Sequence, residues 1–363
     1  MKLLFVTSTL GSGGAERVLS ILANEFCKRG NKVEVIALTN KAKDYYALDK
    51  RIKYLHAGQE CCSGLLSELR WFRRHVAELK PDCVIAFMEA VYEFVLIALF
   101  RTNIPVISSE RKDPRTLGPL RKMLRWFLLP TAAAHVVQTK QIRDFYRKNI
   151  RDKTVVIYNP VDEKVWEFNP TEGGKSLPRI KRIVSVGRLY HQKNQQMLIK
   201  AFAKIAVKYE QYKLIIFGEG HLRKNLEQLI ADLGLQGRVL LPGRSSNVIE
   251  EVAKSEIFCL SSNFEGMSNA MIEAICVGTP IVSTKVSGTD ELIIDGKNGL
   301  LVEIGNIEKL AIALEELMAN KALQSKLSKE EQAMSHLFRT SSVVDQWQKL
   351  IIKVIQNNNG IKK

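Results

Sequence analysis

Short apolar runs alternate with amphipathic stretches along the first half of the chain. Residues 3–7 form an apolar run that predicts a buried strand, and residues 15–29 carry apolar side chains at helical spacing, which predicts a helix. The same alternation predicts further strands at residues 32–38, 83–87, 106–108, 134–138 and 155–158. Strands separated by helices are typical of a parallel sheet that is covered by helices on both faces.

The alternation stops once and then resumes. Asn, Pro, Thr, Gly and Ser cluster at residues 169–177, a composition that predicts a linker between two domains. Further strands are predicted at residues 182–186, 213–217, 239–241, 257–260, 280–283 and 299–302, and helices at 194–208, 221–233, 247–253, 269–277, 306–319, 321–336 and 341–357. We therefore expect one domain within residues 1–168 and a second within residues 178–340. The apolar stripe of the last helix favours packing on a domain.

The chain is basic, with 54 Lys and Arg residues against 38 Asp and Glu residues and a formal net charge of +16. Residues 1–170 account for +10 of this charge. Such an excess favours anionic partners, which include nucleic acid, an acidic membrane and a phosphorylated substrate.

Several patterns bear on location and metal binding. No run of 18 apolar residues is present, so no membrane-spanning helix is expected. Residues 1–6 resemble a short signal peptide, but no cleavage site follows, which favours a buried first strand. Cys83, Cys259 and Cys276 fall in apolar patterns and are predicted to be buried thiols, as suits the reducing cytoplasm. Neither the cysteines nor the histidines have metal-ligand spacing, so no metal site is expected.

The residues with the clearest chemistry lie in the second half. Gly187-Arg188-Leu189 is followed by Lys193-Asn194, by Phe217-Gly218-Glu219-Gly220, and by Glu265-Gly266-Met267-Ser268-Asn269 with Glu273 eight residues after Glu265. Arg and Lys can hold a diphosphate, and carboxylates can accept the hydroxyls of a sugar or a ribose. A helix that begins near Ser268 can direct backbone N–H groups at phosphates. In this order, the motifs predict a pocket for a sugar nucleotide.

These motifs together resemble those of glycosyltransferase family 4. The resemblance covers essentially the whole chain, because it also includes the segments at residues 13–16, 158–162, 291–293 and 295–302. It implies the α/β fold called GT-B, with two doubly wound Rossmann-like domains that face each other across a cleft. The first, residues 1–168 plus 341–363, would bind the acceptor and include a returning C-terminal helix. The second, residues 178–340, would bind the nucleotide sugar.

The resemblance also implies roles for single residues. Arg188 and Lys193 would neutralise the diphosphate leaving group, and Glu265 would contact the donor sugar; these three are the expected catalytic residues. The residues expected to bind the donor are Gly13, Gly14, Gly218, Gly220, Gly243, Arg244, Ser268, Asn269 and Glu273. No cofactor or metal is expected, and the donor most common in the family is a UDP-sugar.

Three positions leave alternatives open. Gly13 and Gly14 could belong to a dinucleotide fingerprint, but Glu16 stands where the third glycine is required and no acidic residue ends the second strand. Glu16 either caps a helix or contacts the acceptor. Arg111 stands near a position where many relatives carry His; it either binds a phosphate of the acceptor or donor, or lies in a surface loop.

Residues 111–130 contain six basic residues and one acid, interspersed with Leu, Met, Trp and Phe. A basic, aromatic and amphipathic segment is typical of proteins that bind an anionic bilayer. The alternative is an ordinary helix whose apolar face packs on the core. Residues 69–74 contain Trp, Phe and three Arg residues, and are a candidate addition to the same surface.

We therefore expect a retaining glycosyltransferase that moves a hexose or N-acetylhexosamine from a UDP-sugar to a lipid-linked or growing bacterial glycan. It would act at the cytoplasmic face of the inner membrane, as a peripheral protein that does not bind nucleic acid. The rival hypothesis is a basic nucleic-acid- or membrane-binding scaffold without catalysis, which the charge of +16 suggests. No recognised nucleic-acid module is present, and the intact Arg188, Lys193 and Glu273 argue against an inactive scaffold.

Overall fold

The structure is a computed structural model that describes residues 1–11, 13–39, 44–60 and 64–360. Cys61, Cys62 and residues 361–363, the last of which we assigned to the first domain, lie outside these ranges. The chain forms two compact units: the first unit is Met1–Pro160 with Thr340–Lys363, and the second unit is Val161–Arg339. Each unit contains one parallel sheet. The predicted pair of Rossmann-like domains is therefore confirmed.

The sheet of the first unit has the strand order β3-β2-β1-β4-β5-β6-β7. Its strands are β1 (Lys2–Thr7), β2 (Lys32–Ala37), β3 (Lys53–His56), β4 (Cys83–Phe87), β5 (Val106–Ser109), β6 (Ala134–Val137) and β7 (Thr154–Val156). All six predicted strands are present within one or two residues. The seventh, β3, was missed because it is a short, partly exposed edge strand without an apolar run.

Helices cover both faces of this sheet. They are α1 (Gly14–Lys28), α2 (Ala57–Glu60), α3 (Leu65–Leu79), α4 (Glu89–Ala98), α5 (Pro119–Leu128), α6 (Lys140–Phe145) and α7 (Lys148–Arg151). Leu3 and Phe5 pack on the α1 side, whereas Leu4 and Val6 pack on the α3 and α4 side, as the alternation of a strand requires. No helix in the described ranges combines the length and apolarity that a membrane crossing needs.

The second unit repeats this architecture with the strand order β10-β9-β8-β11-β12-β13. Its strands are β8 (Ile180–Val186), β9 (Lys213–Phe217), β10 (Val239–Gly243), β11 (Ser255–Leu260), β12 (Ile281–Thr284) and β13 (Leu300–Val302). Its helices are α8 (Gln195–Ala206), α9 (Arg223–Asp232), α10 (Val248–Ala253), α11 (Asn269–Val277), α12 (Ser287–Leu292), α13 (Ile307–Ala319) and α14 (Lys321–Ala333). Cys83, Cys259 and Cys276 are buried, as predicted, and burial raises the pKa of each thiol.

The division between the units falls after Pro160, ahead of the polar stretch at 169–177. A 3-10 helix at Glu163–Phe168 packs on α10 and α11 through the buried side chains of Val165 and Trp166. Asn169 is also buried, and its Oδ1 accepts a hydrogen bond from the Thr171 amide at 2.9 Å. The polar composition therefore reflects turns that are folded onto the second unit.

The last helix, α15 (Thr340–Gly360), belongs to the first unit. Its apolar stripe is buried, and the ring of Trp347 stacks on that of Phe87 with the centroids 5.9 Å apart. Arg29 of α1 pairs with Asp345 at 2.6 Å. The return of the C-terminal helix to the first domain is confirmed.

Candidate active site

The strand order of the second unit reverses between its two central strands, β8 and β11. The chain runs from β8 outward to β10 on one side, and then resumes at β11 on the other side of β8. The loops at the carboxyl ends of such a pair diverge and leave a crevice, which is where open α/β sheets bind ligands. Arg188 and Lys193 follow β8, and Glu265 follows β11, so the three expected catalytic residues lie at this switch point.

Hydrogen bonds join the loop that follows β8 to the loop that follows β11. The Ser261 hydroxyl lies 3.0 Å from the carbonyl oxygens of both Lys193 and Asn194. Asn263 donates from Nδ2 to the carbonyl of His191 at 2.9 Å. Asn194 adopts a left-handed conformation with φ of +44° and begins α8. These bonds fix the backbone that carries Lys193.

Lys193 and Glu265 contact each other directly, with 2.5 Å between Nζ and Oε1. The same oxygen accepts a hydrogen bond from Ser262 Oγ at 2.8 Å, and Gln192 Nε2 donates to Oε2 at 3.2 Å. The Glu265 carboxylate is buried. Sequence reasoning missed Gln192 and Ser262, although the polar run that precedes Glu265 after a buried strand was a visible signal.

Arg188 differs from Lys193 in being exposed. Its guanidinium lies over the ring of Tyr190, 5.0 Å from the centroid, and Tyr190 in turn packs on His221. Within the described part of the chain, no carboxylate pairs with Arg188. Its charge is therefore available to an anion in the crevice.

The predicted glycines permit close packing of the neighbouring loops. A Cβ at Gly218, where φ is +139°, would lie 2.0 Å from the Gly187 carbonyl oxygen, and one at Gly220 would lie 2.4 Å from that of Leu189. At Gly243, where φ is +86°, a Cβ would lie 2.7 Å from Glu219 Oε1. Any side chain at Gly218 or Gly220 would push the loop after β9 away from the loop that bears Arg188.

Arg244 is exposed and lies near Glu219. The hydrogen bonds from Arg223 to Glu219, one of them 2.6 Å long, lower the pKa of Glu219, with a smaller contribution from the Arg244 charge. The loop after β10 therefore carries a cation beside the Gly218-Glu219-Gly220 turn.

The helix α11 begins at Asn269, as predicted, with Ser268 as its N-cap residue. Ser268 and Glu273 are both buried. Asn269 and Glu273 are four residues apart and share a helix face. The loop that precedes α11 packs closely on α12, since a Cβ at Gly288 of α12 would lie 2.3 Å from the Gly266 carbonyl oxygen.

In the first unit, Gly13 and Gly14 form the start of α1, and Glu16 lies over them. A Cβ at Gly13 would lie only 2.0 Å from Glu16 Oε2, so the carboxylate folds back onto the first turn of its own helix. A Glu at the third helical position that reaches back to the N-cap stabilises the free amide groups there. Of the two roles left open for Glu16, the structure favours capping.

Arg111 follows β5 and does not lie in a solvated loop. Its guanidinium packs over the ring of Phe87, 4.5 Å from the centroid, and Nη1 donates to Asn159 Oδ1 at 2.6 Å. Burial lowers the pKa of Arg111 to about 9. The side chain is therefore packed against the sheet, although its backbone lies in a loop. Asn159 was part of a motif in the sequence, but its contact with Arg111 was not expected.

Both halves of the chain match family models of glycosyltransferases. Residues 12–165 match the family model Glycosyltransferase Family 4, and residues 175–334 match Glycosyl transferases group 1. Over 343 residues the chain is 30% identical to N-acetylgalactosamine-N,N'-diacetylbacillosaminyl-diphospho-undecaprenol 4-alpha-N-acetylgalactosaminyltransferase of Campylobacter jejuni, with 87% of this chain and 90% of that protein covered. The chain belongs to glycosyltransferase family 4.

Two more known proteins are similar to this family 4 chain over nearly its whole length. It is 29% identical over 367 residues to a second Campylobacter jejuni enzyme, GalNAc-alpha-(1->4)-GalNAc-alpha-(1->3)-diNAcBac-PP-undecaprenol alpha-1,4-N-acetyl-D-galactosaminyltransferase, covering 98% and 99% of the two proteins. Its fold is similar to that of HepE from Anabaena, solved in complex with UDP and glucose, with a TM-score of 0.79, 20% identity, and 97% and 100% coverage. The predicted transferase class and the GT-B fold are confirmed.

This family 4 enzyme contains a buried ion cluster that the sequence did not reveal. Arg125 of α5 is 1% exposed; its Nη1 donates to Glu110 Oε1 at 2.7 Å and its Nε to Glu93 Oε1 at 3.0 Å. Burial alone would raise the pKa of Glu110, but His135 and Arg125 lower it, and Tyr146 also donates to this carboxylate. Arg125, which we counted among the basic residues of a membrane-binding surface, therefore faces the core.

The opposite face of α5 is apolar and exposed. Leu120, Met123, Leu124 and Phe127 are 72%, 48%, 40% and 73% exposed, at the i, i+3, i+4 and i+7 spacing of a single helix face. The alternative in which this apolar face packs on the core is wrong. The helix therefore differs from an ordinary surface helix: Arg125 is buried beside Trp126 and Leu128, and an apolar stripe is exposed.

Proposed function

We propose that the enzyme transfers a hexose or N-acetylhexosamine from a UDP-sugar, with retention of configuration, to a lipid-linked or growing bacterial glycan. The observation that carries this proposal is the group of Arg188, Lys193 and Glu265 at the switch point of the second unit. Two cations and a buried carboxylate there provide groups for a diphosphate and for sugar hydroxyls.

The chemistry required of these residues is electrostatic. As the bond from the sugar to the diphosphate breaks, negative charge grows on the phosphate oxygens, and fixed cations stabilise it. Lys193 is already held by Glu265 at 2.5 Å, so it is oriented before the donor arrives. Retention would follow from attack by the acceptor hydroxyl on the face that the diphosphate leaves, with the hydroxyl proton passing to the departing diphosphate. Because Arg188 and Lys193 supply the positive charge, we propose that no divalent metal is required.

The known proteins support the choice of substrates. The two Campylobacter jejuni relatives are named as enzymes that add N-acetylgalactosamine to glycans on undecaprenol diphosphate, and HepE was solved with UDP and glucose. We therefore propose the same classes of donor and acceptor, a UDP-sugar and a lipid-linked glycan, for the present enzyme.

A donor panel tests this proposal. Hydrolysis of, or transfer from, UDP-, GDP- and ADP-sugars is measured in EDTA with a membrane lipid extract as acceptor. We expect turnover of one UDP-sugar, and a loss of about a hundredfold or more in Arg188→Ala. Lys309→Ala, an exposed cation on α13 of the same unit, is the control and should retain full activity. No turnover of any donor, or a loss below about tenfold in Arg188→Ala, would contradict the proposal.

We also propose that the α5 stripe places the enzyme on the cytoplasmic face of an anionic membrane. The exposed Leu120 and Phe127 offer large apolar side chains to the acyl region, and Arg121 and Lys122 lie between them on the same helix. Charge complementarity selects an anionic bilayer as the occupant of this surface, in keeping with the +10 carried by residues 1–170.

Vesicle sedimentation tests this surface. The wild-type protein should bind phosphatidylglycerol vesicles and bind phosphatidylcholine vesicles much less. The double variant Leu120→Gln/Phe127→Gln should weaken binding by about tenfold or more, since both side chains lose apolar burial. The matched control, Val207→Gln/Ile312→Gln, changes residues of the second unit that are 84% and 63% exposed. Equal binding by the two double variants would refute the proposed surface.

A further inference from the structure

Several polar atoms at the carboxyl edge of the first sheet are buried without a hydrogen-bond partner in the described ranges. They are Nε and Nη2 of Arg111, Oγ of Ser109 and Oε1 of Gln138. Ser109 is 0% and Gln138 2% exposed. Buried polar atoms are nearly always paired, so a group of unpaired ones indicates a place where a ligand supplies the partners.

Two of these side chains, Arg111 and Gln138, are held together around one oxygen atom. Asn159 Oδ1 accepts hydrogen bonds from Arg111 Nη1 at 2.6 Å and from Gln138 Nε2 at 2.7 Å. The Phe87 ring supports the guanidinium, and Phe87 pairs in register with Ser109 on the adjacent strand, so their side chains share a face of the sheet. Arg111 is therefore oriented before any ligand binds.

The part of the guanidinium that remains unused is its Nε–Nη2 edge. These two groups donate in parallel, at the spacing of two oxygens of a phosphate. With a pKa of about 9, the Arg111 side chain stays charged at neutral pH. A buried charge without an ionic partner is unfavourable, and an oxyanion bound at this edge would supply that partner.

We infer that Arg111 binds a phosphate group of a substrate through Nε and Nη2, with the Ser109 hydroxyl donating to an oxygen beside it. The inference rests on the proposed glycosyl transfer. Because the second unit already offers Arg188 and Lys193 to the donor diphosphate, we assign the Arg111 phosphate to the acceptor, whose lipid link contains a diphosphate.

Kinetics with two acceptors test whether Arg111 binds a phosphate and whether that phosphate belongs to the acceptor or to the donor. A lipid-diphosphate-linked glycan is compared with the same glycan lacking phosphate. Arg111→Gln should raise the KM for the first acceptor by about 10- to 100-fold and leave that for the second unchanged, and Arg111→Lys should fall between wild type and Gln. A rise in the KM for the UDP-sugar alone would place the same phosphate contact on the donor. No change in any KM would overturn the inference.

A binding measurement keeps the inference testable if no donor is turned over. Calorimetry with inorganic pyrophosphate, at about 150 mM salt to screen surface charges, uses the Arg188→Ala/Lys193→Ala background. Adding Arg111→Gln should weaken the remaining binding by about tenfold or more, whereas Lys349→Gln, an exposed cation on α15, should not. Equal pyrophosphate binding by the two variants would overturn the inference.

Discussion

Replacing Arg125 by Met should strongly destabilise the first unit. The side chain is 1% exposed and forms hydrogen bonds of 2.7 and 3.0 Å with Glu110 and Glu93, which are also buried. Met fills a similar volume but removes the arginine from both carboxylates, which leaves Glu93 with only the half-exposed Arg121 and Glu110 without a guanidinium partner. Removing one partner of a buried ion pair lowers the free energy of unfolding by about 3–5 kcal/mol. For a unit of this size, that loss corresponds to a fall in Tm of about 6–20 °C.

Thermal unfolding followed by circular dichroism measures this effect, and Arg121→Met is the matched control. Arg121 lies one turn earlier on α5 and also pairs with Glu93, at 3.4 Å, but it is half exposed, so its removal should cost less than about 1 kcal/mol. Adding Glu110→Gln to Arg125→Met should restore part of the lost stability, because one uncompensated charge is removed. If Arg125→Met is no less stable than Arg121→Met, the cluster does not contribute as argued.

Three further predictions concern the core, the site and pH. Trp347→Ala removes a fully buried ring that stacks on Phe87 and should cost about 3–5 kcal/mol in denaturant unfolding. Gly218→Ala should weaken UDP binding in calorimetry, because its Cβ would meet the Gly187 carbonyl, whereas Gly237→Ala, with positive φ but open space, should not. Burial raises the pKa of Glu331 well above 4.5, so the folded state retains a proton that the unfolded state loses, and stability falls as pH rises; Glu331→Gln should remove this decline in Tm between pH 4.5 and 8.

Much of the fold could be predicted from the periodicity of the chain. Strands such as β4 and β9 are buried on both faces and are therefore continuous apolar runs, which sequence patterns reveal well. The edge strand β3 was missed for the opposite reason. The polar stretch at 169–177 was interpreted as a linker because turns folded onto a domain and free linkers have the same composition.

The candidate site was less accessible to sequence reasoning. Motif spacing pointed to Lys193 and Glu265, but their contact depends on the neighbouring positions of β8 and β11, which are far apart in sequence. The burial of Arg125 could not be anticipated, because its partners Glu93 and Glu110 lie on other elements. A basic residue within an apolar helix face is compatible with either orientation of the helix until those carboxylates are located in space.

The discontinuity of the first unit has a consequence for how the protein folds during synthesis. The ribosome completes residues 161–339 before it makes α15, so the second unit can fold while one face of the first sheet still lacks Trp347 and its neighbours. During that interval, the apolar side chains of β1, β4 and β5 on the α15 side are incompletely covered. Nascent chains halted before residue 340 should therefore bind chaperones and be degraded by proteases through their first unit, while the second unit resists digestion.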